Sequence, residues 1–198
     1  MYLKKEIFLI ALIILTASSC RRVSQLSQED RLFIPYSGNE KLIFVSNHGG
    51  KDTISLSGFE NYFSTEKPKG LSRNVNIEHY NLMYIFDSGY KPLEEDASKT
   101  YFIGLTARET KEIIVSFNLQ NPNRQYFFWN SLNIDTFRNN KNPEDTITIE
   151  NKHKNETEGN TSSQSNIKKM FWINTKGAVG FTLSNGEVWK LQEVQNDK

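Results

Sequence analysis

Histidine, cysteine and carboxylate side chains carry most metal and proton-transfer chemistry, and this chain spaces them for neither. His48 sits in a glycine turn, His79 in a strand-like stretch and His153 in a polar segment, and none belongs to a pair at ligand spacing. A zinc or iron site needs three or four converging donors, so no metal and no cofactor is expected. Carboxylates are plentiful, at Glu94, Glu95, Asp96, Glu109, Glu112, Glu144 and Asp145. A glycosidase needs two of them held about 5–10 Å apart in a cleft, which sequence cannot display; adjacent acids usually form a solvated turn. No serine lies in G-x-S-x-G or S-x-x-K, and no glycine loop leads into the lysine and helix that cradle phosphate. No catalytic residue is assigned, and the chain reads as a non-enzyme. The remaining chemistry is aromatic. Tyr126, Phe127, Phe128 and Trp129 are consecutive, and Trp172 and Trp189 follow. Exposed aromatics on a strand face stack on sugar rings, so Tyr126, Phe128, Trp129 and Trp189 are candidate ligand contacts. Core packing is the competing reading, because successive strand residues point to opposite faces and one of each pair is buried.

The elements that would hold these residues are strands. Ile113, Val115, Phe117 and Leu119 alternate with Ile114, Ser116, Asn118 and Gln120, a half-buried strand with one mostly polar face. Ile54 and Leu56 alternate with Thr53, Ser55 and Ser57, and Ile147 and Ile149 alternate with threonines. Leu42 to Val45, Leu82 to Phe86, Tyr126 to Trp129 and Met170 to Ile173 are apolar on both faces, as central strands covered on both sides would be. Turn signals at Ser37-Gly38-Asn39, His48-Gly49-Gly50, Asn121-Pro122-Asn123, Lys176-Gly177 and Asn185-Gly186 punctuate the runs. Thr106 to Glu112 fits either a helical turn or a strand connection. The pattern predicts an all-β fold, an antiparallel sandwich or barrel-like meander.

The last hairpin is sharper. A two-residue turn at Asn185-Gly186 would pair Phe181 with Lys190. A three-residue loop, Ser184-Asn185-Gly186 with a left-handed glycine, pairs Phe181 with Trp189 and Val179 with Leu191. A one-residue slip exchanges the faces, so burial selects the three-residue form.

Residues 1–19 read as an export signal. Lys4 and Lys5 precede the apolar run Ile7 to Leu15, whose nine residues span about 14 Å as a helix, too short for a hydrocarbon core of about 30 Å. Small residues Ala17, Ser18 and Ser19 then lead to Cys20, the only cysteine, which leaves no partner for an intramolecular disulfide. The string "TASSC" resembles the lipobox of bacterial lipoproteins, with Ala17 where that family most often has leucine. The resemblance implies cleavage before Cys20 and acylation of its sulfur and amine by diacylglyceride and palmitate-type chains, which would anchor the chain durably. Arg21 to Arg31 reads as a solvated tether, making residues 20–31 the lipidated cysteine and its linker. Residues 32–198 form one β domain, and Glu150 to Asn166, without an apolar residue, is a polar loop within it. Without Lys4, Lys5 and Glu6 the 24 basic and 23 acidic residues become 22 of each, a balance that argues against nucleic acid.

The stretches "YSGNEKLIFVSNHGGKDTISLSG" and "KKMFWINTKGAVGFTLSNGEVWKL" further resemble small Bacteroidota-type cell-envelope lipoproteins, for which no activity is assigned. The shared motifs are turn glycines and apolar alternation over Gly38 to Ile54 and Gly177 to Leu191, about a third of the chain. They imply an envelope protein held to the outer membrane through Cys20. "RRVSQ" departs from the acidic runs that mark surface export in that group, which favours a periplasm-facing domain. The expected role is a non-enzymatic interaction module for an envelope protein or polysaccharide. A glycan-binding accessory or a lipocalin-like carrier of small lipids are its alternatives.

Overall fold

The computed structural model describes residues 22–67, 74–86, 101–121, 126–152 and 167–196. The export segment and Cys20, the acidic run Glu94 to Asp96, His153 and the body of the polar loop lie outside them.

The fold is all-β. Eleven strands form one sheet nearly closed into a barrel: β1 (Arg22–Ser24), β2 (Glu40–Ser46), β3 (Lys51–Glu66), β4 (Val75–Phe86), β5 (Tyr101–Ala107), β6 (Ile113–Asn121), β7 (Tyr126–Asn133), β8 (Ile147–Glu150), β9 (Ile167–Ile173), β10 (Gly177–Leu183) and β11 (Val188–Asn196). Two one-turn helices, α1 (Gln28–Arg31) and α2 (Asp135–Arg138), complete it. The order β7-β6-β5-β4-β3-β2-β11-β10-β9-β8 is two antiparallel meanders joined where β2 pairs with β11. Among the described strands only β1 is parallel, lying against Val75 to Ile77 of β4.

Asn151 and Lys152 mend the seam between the two ends of this order. Asn151 Nδ2 donates to the carbonyls of Phe127, at 3.1 Å, and Ile167, at 2.8 Å, while Lys152 N donates to the Trp129 carbonyl at 3.2 Å. A side-chain amide thus replaces a ladder bond across the gap. The beginning of the expected loop is therefore structured: Glu150 pairs with Lys169 at the end of β8, and the next two residues stitch the barrel.

Inward side chains fill the barrel. Val115, Phe117 and Leu119 point in from β6, Ile54 and Leu56 from β3, and Leu42 and Phe44 from β2, all buried. Trp172 lies at the centre, its ring 5.3 Å from Phe117, 5.8 Å from Phe33 and 6.3 Å from Tyr36. Fully burying each such side chain contributes about 1.5–3 kcal/mol. Of the runs expected to be covered on both faces, Leu42 to Val45 is so covered, with Leu42, Ile43 and Phe44 all buried, whereas the runs in β4 and β7 are covered on one. Phe128 is fully buried, whereas Trp129 is 38% and Ile85 50% exposed, because the inward side chains meet the core and these two point outward.

The predicted hairpin register is observed. Phe181 pairs with Trp189, and the rings stack at 5.7 Å. Leu183 N donates to the Glu187 carbonyl across a loop of Ser184, Asn185 and Gly186, and Gly186 has φ 87°. Thr106 to Glu112 proves to be the end of β5 and its turn into β6, not a helical turn.

The tether reading is corrected from Arg22 onward. Residues 22–31 are folded against the barrel: β1 pairs with β4, Leu26 is buried, and α1 carries a capping box in which Ser27 and Asp30 bond reciprocally. Glu78, itself buried, accepts from Leu26 N at 2.8 Å and from the Arg31 guanidinium. Asp30 accepts from Arg138 of α2 at 2.7 Å. Burial pushes the Asp30 carboxyl up, but hydrogen bonds from Ser27 and Arg138 outweigh it and hold its pKa below the ordinary value.

Candidate functional site

The four candidate aromatics do not share a face. Phe128 and Trp189 are core residues, 0% and 1% exposed, so both are withdrawn as ligand contacts. Their strands turn them inward, Phe128 opposite Leu119 and Trp189 opposite Phe181. Trp129 points outward; the Tyr126 side chain lies outside the described residues.

Trp129 instead joins residues that no local pattern connects. The outward positions of β3 to β7 align in rows across the wall. One row runs Tyr62, His79, Thr106, Ile114, Asn133; the next runs Glu60, Asn81, Gly104, Ser116, Ser131. A bulge between Leu82 and Met83 lets Phe102 and Ile103 both turn inward, and Tyr101 then turns outward opposite Met83. Beyond Gly104 the Tyr101 hydroxyl lies beside the side chains of Ser116 and Trp129. Gly104 makes room for this arrangement: a Cβ there would stand 3.4 Å from Tyr101 Cδ2, 3.3 Å from Asn81 Cγ and closer still to Asn81 Oδ1. Tyr62 stacks on His79 with centroids 4.7 Å apart and planes 11° from parallel. Gln120 Nε2 donates to Asn118 Oδ1 at 3.1 Å, fixing the amides beside Trp129.

The outward positions of β4 to β7 carry no ionised side chain at neutral pH, whereas β3 presents Glu60 and Glu66 on the same face as Tyr62. Burial lowers the His79 pKa, the Arg108 cation lowers it further, and Glu66 opposes both, so the ring is neutral and bonds Ser64 Oγ at 2.7 Å and Thr106 Oγ1 at 3.2 Å. Burial likewise raises the Tyr101 phenol. Glu60 and Lys152 bound the surface on either side.

A testable consequence concerns acid stability. A histidine held neutral in the fold protonates more readily in the unfolded chain. Its contribution is therefore complete above the ordinary 6.5 and is lost as pH falls below it. The melting temperature should decline between pH 7.5 and 5, and His79→Gln should flatten that decline. A profile unchanged by the substitution would refute the assignment. Asp30 and Glu40, both depressed, contribute above their ordinary values of 3.8 and 4.5 and add a second decline at lower pH.

A cleft of about 730 Å³ opens at the barrel end between β1 and the β5–β6 turn. Val23, Val75, Ala107 and Ile113 give it apolar walls, and Arg108, Glu109, Lys111 and Glu112 a mixed rim. Lys111 has φ 64°, a left-handed backbone uncommon for a residue with a side chain. Glu109 and Glu112 thus reach one cleft, whereas Glu144 bonds Thr175 and Lys176 elsewhere. His48 is exposed in its turn, and among the described residues no three histidine, cysteine, aspartate or glutamate side chains converge to hold a metal ion.

Sequence reasoning missed Tyr62, Tyr101 and the cleft. The usable sign was the kind of polar residue on β6, since Ser116, Asn118 and Gln120 are all polar and all uncharged. No protein-family model, no curated protein and no solved structure matches this chain, so its reading rests on the geometry of the wall and the cleft.

Proposed function

We propose that the chain is a lipid-anchored, non-enzymatic interaction module of the cell envelope, held to the outer membrane by acyl chains on Cys20 and facing the periplasm. The observation that carries the interaction role is the outer wall of β3 to β7, where Tyr62, Tyr101 and Trp129 lie among amide and hydroxyl side chains on a rigid sheet. The barrel interior supports a wall-binding role over a lipid carrier, because side chains such as Phe44, Phe117, Phe181 and Trp172 occupy the space a carried lipid would need. The anchor reading rests on the basic start, the short apolar run and the small residues before Cys20. β1 begins at Arg22, so acyl chains on Cys20 would moor the barrel two residues from a strand locked to β4, with the cleft end nearest the bilayer.

Fractionation tests the anchor. The wild-type chain is expected in the membrane pellet after a high-salt wash, and Cys20→Ser in the supernatant with an unchanged melting temperature. Retention of the variant in the pellet would sink it. A benzoylphenylalanine photocrosslinker at position 62 tests the wall. It should capture an envelope component that the same probe at position 194, on β11, does not, and equal capture at both sites would count against the module.

A further inference from the structure

Resting on the reading of the wall as the interaction surface, we infer that its ligand is an uncharged polysaccharide, laid across β3 to β7 with sugar rings against Tyr62 and Trp129. The recognition chemistry is complementary in three respects. Trp129 and Tyr62 are 38% and 42% exposed, and flat aromatic faces match the C–H faces of pyranose rings. Between them the outward, solvent-reaching side chains of β6 and β7 include Ser116, Gln120, Ser131 and Asn133, amides and hydroxyls that each donate and accept, while Asn118 is buried among them. Sugar hydroxyls do the same, so every contact can be satisfied without a charge. No carboxylate, ammonium or guanidinium projects from the described outward positions of β4 to β7. On β3 Glu60 and Glu66 flank Tyr62, so an acidic polymer or a nucleic acid would meet carboxylates there; the Lys152 ammonium stands at the β7 edge, donating to the Ser131 carbonyl at 2.9 Å.

Geometry favours a chain over a single sugar. Neighbouring strands are about 4.8 Å apart, so the surface from β3 to β7 is about 19 Å across, room for several rings. The sheet is also preorganised: Tyr62 is seated on His79 and the Gln120 amide is bonded to Asn118, so little side-chain freedom is lost on binding.

The protein contains its own reporter. It has 3 tryptophans, and Trp172 and Trp189 are 0% and 1% exposed, leaving Trp129 as the exposed fluorophore. The detergent-solubilised full chain should be applied to a printed array of neutral and acidic glycans. Binding is expected among the neutral ones, and the best of them should shield Trp129 from acrylamide quenching in the wild-type protein. Affinity should fall about tenfold with Trp129→Ala and with Tyr62→Ala, stay near wild type with Trp129→Phe, and be unchanged with Val194→Ala. Preference for acidic glycans, no binding to neutral ones, or quenching unaffected by the bound glycan would overturn the inference. The two readings fail separately. A silent array with specific protein capture at position 62 leaves the interaction module standing and removes the polysaccharide; a silent array with no capture removes both.

Discussion

Gly177→Ala is expected to destabilise the fold by about 2–5 kcal/mol, lowering the melting temperature by about 5–15 °C. Two costs combine. Gly177 has φ 80°, where any L side chain meets its own backbone, at about 1–2 kcal/mol. Its missing Cβ is also space already taken: a methyl there would stand 2.8 Å from Tyr36 Cε2 and closer still to Cζ and the hydroxyl. Tyr36 cannot yield cheaply. It is buried between Phe102 and Trp172, and its hydroxyl accepts from Ala178 N at 2.7 Å. Gly186→Ala separates the two costs, since Gly186 has φ 87° but no neighbour within 4 Å of a built Cβ, so only the backbone cost of about 1–2 kcal/mol applies. If thermal or denaturant unfolding shows Gly177→Ala no worse than Gly186→Ala, the Tyr36 contact is not what fixes the glycine. The loss in a Tyr36→Ala, Gly177→Ala double variant should be smaller than the sum of the single losses, because removing the ring vacates the space.

That contact shows how the barrel is finished. The strand order leaves a seam and two open ends, and short irregular pieces close them. Asn151 and Lys152 mend the seam, α2 brings in Phe137, and the segment after α1 sends Phe33, Ile34 and Tyr36 into the core. With the interior occupied, the outside and the ends are the surfaces left open. There the wall of β3 to β7 and the cleft beside β1 are found.

Strand periodicity made the barrel's wall legible. Alternation at Ile113 to Gln120 names the inward and outward faces of β6 correctly, and the final hairpin follows from one requirement, that Phe181 and Trp189 share a buried side. Alternation within a run such as Tyr126 to Trp129 separates two faces without saying which is wet, because that depends on Phe128 meeting Leu119 from a neighbouring strand. Tyr62 and Tyr101 come to one surface only through strand pairing and a bulge. That bulge has no sequence mark, since "YFIGLT" reads the same with Tyr101 in or out. The segment 22–31 is a different failure. Ser27 and Asp30 at capping-box spacing, with Leu26 beside them, mark a helix start, which the polar composition around them obscures.

The docking of that segment hangs on one buried carboxylate. The Glu78 side chain is 2% exposed and has two partners, the Leu26 amide and the Arg31 guanidinium, which also lies 5.3 Å over the Tyr80 ring. Arg31→Ala would leave the amide alone to hold a desolvated charge. Breaking a fully buried pair costs about 3–5 kcal/mol; the Arg31 side chain is 38% exposed, so part of its attraction is already screened and about 2–3 kcal/mol is expected. The loss should be local first. Arg22 to Arg31 should become cleavable by trypsin under conditions in which the wild-type segment resists, before the barrel melts. Pairing the change with Glu78→Leu should restore resistance, because an apolar pair needs no counter-ion. Cleavage unchanged in Arg31→Ala would mean that β1 and Leu26 hold the segment without the ion pair. On the proposed lipid anchor, a freed segment would put the barrel on a loose leash of about ten residues and lengthen its reach, with the wall of β3 to β7 unchanged.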